Sequence, residues 1–241
     1  YISEQLEEMS AYLDVGTGKI SLGETEDKDW INNWKEFFHP FRLEDNIVIQ
    51  PTWTEIADAK EDDIVIHIDP GTAFGTGSHE TTKLCLSNLK KYIHADGSTD
   101  VMDAGCGSGI LSIIALKLGA RKVYGIDIDE LAVKASKENL ALNDIPEEKY
   151  TIVQGNVIED KEFAQSVASI GKYDIVVANI LADVIIPLSA EIRPFMKENG
   201  VFITSGIIDM KEQAVKDALL QNGFEITDVT HMGEWVSIVA K

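Results

Sequence analysis

With 241 residues, 44% apolar and 26% charged side chains, 18 Gly and 6 Pro, the chain has the size and composition of a folded globular protein, which excludes a stapled mini-protein, a collagen-like repeat and a disordered segment. Its 41 Asp and Glu against 21 Lys and Arg give a formal net charge of −20, a field that repels phosphate backbones and anionic lipid and favours a basic partner. The basic residues are scattered rather than clustered, so no direct nucleic-acid and no membrane-surface binding is expected.

Residues 1–63 hold three of the four tryptophans and show little periodicity beyond a possible helix over Glu4–Leu13. They end in the acidic loop EIADAKEDD, and the chain opens on Tyr1 rather than Met. This stretch is expected to be the remnant of an N-terminal domain plus a linker, with residues 64–241 forming a second domain. From Val101 onward short apolar runs alternate with helical patterns. VMDA (101–104), VYGIDI (123–128), YDIVVANI (173–180) and VFITSGI (201–207) read as strands, each followed by a helix-period segment. YTIVQG (150–155) reads as a further strand before a polar stretch. Gly119, Gly200 and Gly223 stand where helices would end. Apolar strands alternating with helices predict an α/β fold, a mostly parallel, doubly wound sheet covered on both faces. FEITDVT and WVSIVAK, with HMGE between them and no helix, predict a closing antiparallel hairpin.

Two cysteines, Cys85 on a predicted helix and Cys106 in a glycine loop, make no disulfide framework and point to a reducing, cytoplasmic setting. The most apolar stretch, residues 173–192, is interrupted by Asp174, Asn179, Asp183 and Pro187 and is too polar to span a bilayer.

Asp103-Ala104-Gly105-Cys106-Gly107-Ser108-Gly109 follows the first strand of the parallel series and opens a helix. Glycines such as Gly105 and Gly107 let the backbone approach a ligand, and free N–H groups at the helix start favour a negative group. Asp127 ends the next strand 22 residues after Gly105, where an acid accepts hydrogen bonds from both ribose hydroxyls of a nucleoside. Nicotinamide dinucleotides use the same architecture, but here the third glycine, Gly109, falls one residue early for G-x-G-x-x-G. Asp103 has no role beside a pyrophosphate and suits an ammonium group, as in S-adenosyl-L-methionine. A nicotinamide-dependent oxidoreductase and a non-catalytic nucleotide-binding module stay open as alternatives.

These segments, with DPGTAFGTGSHETT (69–82) and the Asn-Ile-Leu-Ala tetrad at 179–182, resemble the ribosomal protein L-eleven methyltransferase (PrmA) family of class I, Rossmann-like, S-adenosylmethionine-dependent methyltransferases. The resemblance covers about residues 28–241 and implies a seven-stranded sheet. It places Thr82, Gly105, Asp127 and Asn179 at cofactor-contacting positions and Phe74 as an aromatic that covers the cofactor. From the residues alone Phe74 divides evenly between a core side chain and part of a glycine-rich lid. It also implies methylation of lysine side chains and the N-terminal amine of large-subunit ribosomal protein L-eleven. Asn179 is the expected catalytic residue, orienting the target nitrogen, against the alternative of an Asn capping the next helix. Ile180 and Leu181 stand where related tetrads have prolines, and no aromatic follows, which leaves room for a flexible aliphatic amine. Asn156 is expected to contact the adenine edge, or else only to shape a turn. His79-Glu80 lacks the second His of H-E-x-x-H, so no metal is expected.

Overall fold

The structure, a computed structural model, describes residues 39–44, 46–69 and 80–241, all within one unit, His39–Lys241. The helix expected over Glu4–Leu13 and the loop carrying Phe74 lie outside the described residues.

Phe41–Glu44 (β1) and Ile47–Gln50 (β2) pair antiparallel, and Ile64–His67 (β3) runs parallel to β2, so this small sheet has strands on both sides of residue 63. Between them the acidic loop is organised by Arg42. Its guanidinium donates to the Asp63 carboxylate at 2.5 and 2.9 Å and to the Asp58 carboxylate at 3.1 Å. This paired geometry holds the Asp63 carboxyl below the usual carboxylate range. Glu44 reaches the next element, Glu80–Tyr92 (α1), accepting from Ser87 Oγ at 2.8 Å and from Lys90 Nζ.

The larger sheet begins at Asp100–Ala104 (β4), followed by Ile110–Lys117 (α2), Lys122–Asp127 (β5), Glu130–Leu142 (α3) and Tyr150–Gln154 (β6). Lys161–Ile170 (α4), Tyr173–Asn179 (β7), Ala182–Glu191 (α5), Met196–Ile208 (β8), Glu212–Gln221 (α6), Ile226–Met232 (β9) and Trp235–Ala240 (β10) complete it. The strand order is β6-β5-β4-β7-β8-β10-β9, and β10 alone runs opposite to the other six strands. The doubly wound, seven-stranded sheet with an antiparallel C-terminal hairpin is as expected.

Local chemistry accounts for the elements. All five residues of β4 are buried, because helices cover both faces of a central parallel strand. Every residue of α2 from Ile110 to Leu116 is buried too, which suits a helix apolar all round. Asp129 and Asp160 cap α3 and α4 by accepting from the backbone N–H of Leu131 and Phe163, each at 2.9 Å.

Three local readings change. The polar stretch after β6 contains α4, in which only Val167 is fully buried. Gly200 does not end a helix. It lies within β8, beside the register shift between Tyr173 and Ile175 of β7. His231 and Met232 belong to β9, so the hairpin turn is just Gly233-Glu234. Among the described residues no helix is long and apolar enough to cross a membrane.

Candidate active site

Strands β4, β5 and β6 step one way across the sheet, and β7 returns to pair with the opposite side of β4, with Val101 beside Ile175. Ligands of open α/β sheets bind outside the carboxyl ends of the strands at such a reversal. A cavity of about 630 Å³ opens there, within the roughly 300–1,000 Å³ usual for small-molecule sites. Ala104 lines it from the end of β4, Gly105 and Gly107 from the loop that follows, Ile126 and Asp127 from β5, and Asn179 and Ile180 from the end of β7.

Ile180 is fitted between two glycines. Gly105 has φ 85°, and a Cβ there would meet Ile180 Cγ2 at 2.5 Å. Gly206 of β8 has φ 83°, and its Cβ would meet the Ile180 carbonyl oxygen at 2.5 Å. Both positions therefore require glycine for conformation and for space. Ile180 N–H also donates to the Ser205 carbonyl at 3.1 Å, so the backbone just after Asn179 is held from two sides.

Asp127 ties the acid strand to the glycine loop. Its Oδ2 accepts from the Gly107 N–H at 2.9 Å and its Oδ1 from the Asp129 N–H at 3.0 Å. A carboxylate has about four acceptor positions, so two remain for ribose hydroxyls. Apolar walls from Val157, Ile158, Leu181 and Val184 suit a purine ring. Asp127 is the only ionisable residue among the described residues lining the cavity. The site thus has the volume, the apolar walls and the acceptor that an adenosine needs.

The Asn179 amide makes no side-chain hydrogen bond to any described residue. Leu181, not Asn179, occupies the N-cap of α5, and no side chain caps that helix. A half-buried amide at a cavity wall with both ends open is available to a ligand.

The family model described as "Ribosomal protein L11 methyltransferase (PrmA)" matches residues 2–241. The chain belongs to the ribosomal protein L11 methyltransferase (PrmA) family. It is 56% identical over 253 residues to the ribosomal protein L11 methyltransferase of Lachnoclostridium phytofermentans, covering 100% of this chain and 75% of that one. It is 51% identical over 237 residues to that of Agathobacter rectalis, covering 98% and 73%. Among solved structures it is similar to the ribosomal protein L11 methylase from Lactobacillus delbrueckii subsp. bulgaricus, with TM-score 0.74 and 32% identity over 85% of this chain and 98% of that one. A SAM-dependent methyltransferase from Aquifex aeolicus, at 14% identity and TM-score 0.51 over 64% of this chain and 88% of that one, shares the fold.

PrmA-family membership makes the chain an S-adenosylmethionine-dependent methyltransferase, and the nicotinamide-dependent reading is set aside. Of the expected site residues, Gly105, Gly107, Asp127, Asn156 and Asn179 line one cavity. Phe74 lies outside the described residues. Thr82 is buried and off the cavity wall, where its neighbour Thr81 stands instead, because one residue of helix rotates a side chain by about 100°. Asp103 is also off the wall. Side chains alternate along a strand, so its carboxylate turns into the layer holding α2, where Oδ2 accepts from Ser112 Oγ at 2.7 Å. Burial raises the Asp103 carboxyl to about 6, and Oδ1 has no partner among the described residues.

Asn156 lines the cavity but spends its side-chain oxygen locally. Oδ1 accepts from the N–H groups of Ile158 at 3.0 Å and Glu159 at 3.2 Å, the turn-shaping arrangement. Gly206 and Trp235, at the ends of β8 and β10, escaped sequence reasoning because only the strand order brings them to the cavity. Gly155 follows its strand directly, as the loop glycines follow β4, a signal that was available. No group of three or more His, Cys, Asp or Glu that could hold a metal occurs among the described residues.

Proposed function

We propose that this chain methylates lysine side chains and the N-terminal α-amine of ribosomal protein L11, with Asn179 orienting the attacking nitrogen. The relatives' names supply the substrate. The observation that carries the residue assignment is the Asn179 amide beside the glycine loop, without a partner among the described residues. When bound, S-adenosyl-L-methionine supplies an electrophilic sulfonium methyl group. Gly105 and Gly107 give its amino-acid end close access to the backbone, and Asp127 holds the ribose hydroxyls. Asn179 Oδ1 accepts an N–H of the incoming amine and aims the nitrogen lone pair along the transfer axis, so its contribution is one of positioning.

A lysine amine with a pKa near about 10.4 must lose a proton before it attacks. Asp127, the one ionisable lining residue among those described, is committed to ribose and to Gly107 N–H. In this reading the proton leaves to water as the amine enters the apolar cavity, where desolvation favours the neutral form. The NILA tetrad, without prolines or an aromatic, leaves no stacking face for a planar base and suits an aliphatic amine.

In this reading residues 64–241 hold the methyl-transfer site, residues 1–63 belong to substrate recognition, and the protein works in the cytoplasm where ribosomal protein is found. The net charge of −20 suits encounter with a basic ribosomal protein. The test is Asn179→Ala assayed on intact L11 at saturating cofactor, with mass spectrometry locating the methylated amines. A fall in kcat of about tenfold or more, with S-adenosylhomocysteine affinity changed much less, is expected for a contact made mainly in the transition state. Unchanged kcat removes Asn179 from the mechanism, and methyl groups found only on non-amine atoms overturn the substrate reading.

A further inference from the structure

Helix α3 turns a polar face inward. Ser136, Asn139 and Asn143 are spaced three and four residues apart, on one side of the helix, and are only 0%, 2% and 3% exposed. Buried polar side chains persist where their hydrogen bonds are satisfied, and here all three bond backbone of other elements. Ser136 Oγ donates to the Gly107 carbonyl at 2.9 Å, and Asn139 Nδ2 donates to the Ser108 carbonyl at 2.9 Å. Asn139 Oδ1 accepts from the Asp69 N–H at 3.2 Å. Asn143 bonds elsewhere, accepting from His67 N–H at 2.9 Å and donating to His67 carbonyl at 2.7 Å.

From this we infer that Ser136 and Asn139 are positioning residues for the cofactor loop, fixing its peptide planes from behind without touching the ligand. The inference rests on the reading that Gly105 and Gly107 receive the cofactor. A peptide unit is planar, so pinning the Gly107 and Ser108 carbonyls also sets the direction of the N–H groups in the same two planes. With Asp127 holding Gly107 N–H from the other side, the loop is clamped between its acid and α3. Neither Ser136 nor Asn139 lines the cavity. Asn139 adds a coupling: one amide joins the Ser108 carbonyl to the backbone of Asp69, the first residue of DPGTAFGTGSHETT. The loop and the Asp69 backbone are therefore joined by a single side chain.

The experiment compares Asn139→Ala, Ser136→Ala and Asn143→Ala by titration calorimetry with S-adenosylhomocysteine, thermal unfolding, and steady-state kinetics in cofactor. Asn143, the C-cap of α3, is the control, equally buried and bonded to the backbone of His67 and of Asn139 but not to the loop. Asn139→Ala is expected to weaken S-adenosylhomocysteine binding by about tenfold, the size of one lost hydrogen bond, and to raise the cofactor KM while kcat at saturation stays within about twofold. Asn143→Ala is expected to lower the melting temperature with affinity within about twofold of the parent. Should Asn139→Ala fail to fold, Ser136→Ala carries the test, with a loss of several-fold in affinity expected. Affinity losses in the Asn139 or Ser136 variant no larger than in Asn143→Ala overturn the inference, since a purely structural role moves all three alike. Asp127→Ala separates the two levels. If it leaves affinity unchanged, the reading of the site fails and the inference with it; if it weakens binding and the α3 variants do not, only the inference fails.

Discussion

Asp103 offers a test in which the structure sets both sign and size. Its carboxyl is fully buried, accepts one hydrogen bond from Ser112, and leaves Oδ1 without a partner among the described residues. Burial raises it from 3.8 to about 6, with the nearby Asp127 charge adding to the rise. A raised acid binds its proton more tightly in the folded state. Between pH 4 and 6 the native protein holds more protons at this site than the unfolded chain, so the site's contribution to stability falls as pH rises through that window. The full cost, reached above the folded value, is about 3 kcal/mol at about 1.36 kcal/mol per unit. Asp103→Asn keeps the shape and an acceptor for Ser112 but cannot ionise. Its stability relative to the parent should therefore improve by about 1.4 kcal/mol between pH 5 and pH 7.5. Urea unfolding followed by tryptophan fluorescence, with midpoints compared at unchanged m, measures the difference at each pH. Fixed offsets from the new amide cancel, because only the pH dependence of the difference is used. A difference flat from pH 5 to 7.5 would refute the reasoning and show that Asp103 is compensated by a partner that burial alone does not reveal.

Two further expectations concern the walls and the thiols. Gly206→Ala places a Cβ 2.5 Å from the Ile180 carbonyl at a φ of 83°, so a loss of about 2 kcal/mol or more is expected in denaturant midpoints. Because the collision is with the backbone next to Asn179, turnover should fall as well, and a variant with parental stability and activity would contradict the clamped geometry. Cys85 and Cys106 are buried, and burial pushes both thiols well above their usual range. Ellman's reagent should find no reactive thiol in the native protein and both after unfolding, and fast modification in the folded state would show that the core opens.

What the sequence determined by itself is what short windows of chain record. The period-two and helical runs of residues 101–240 specified alternating strands and helices. The glycines of 105–109 and the acid of Asp127 lie within one βαβ unit, whose geometry is set by its own length. The Asx caps at Asp129 and Asp160 are local in the same way. Helix α4 escaped although KEFAQSVASI carries a helical period, its Phe163, Ala164, Val167 and Ala168 packing against the core behind the Asp160 cap. Only the tertiary structure decided how these pieces meet. It brought β7 beside β4, more than seventy residues away, and slid β10 between β8 and β9, which put Asn179, Gly206 and Trp235 on one cavity. It also set the phase of each element, putting Thr81 rather than Thr82 on the cavity wall and turning Asp103 towards α2. The physical reason is that strand order and side-chain phase are chosen by burial against partners distant in sequence, and those contacts leave no mark in any local window.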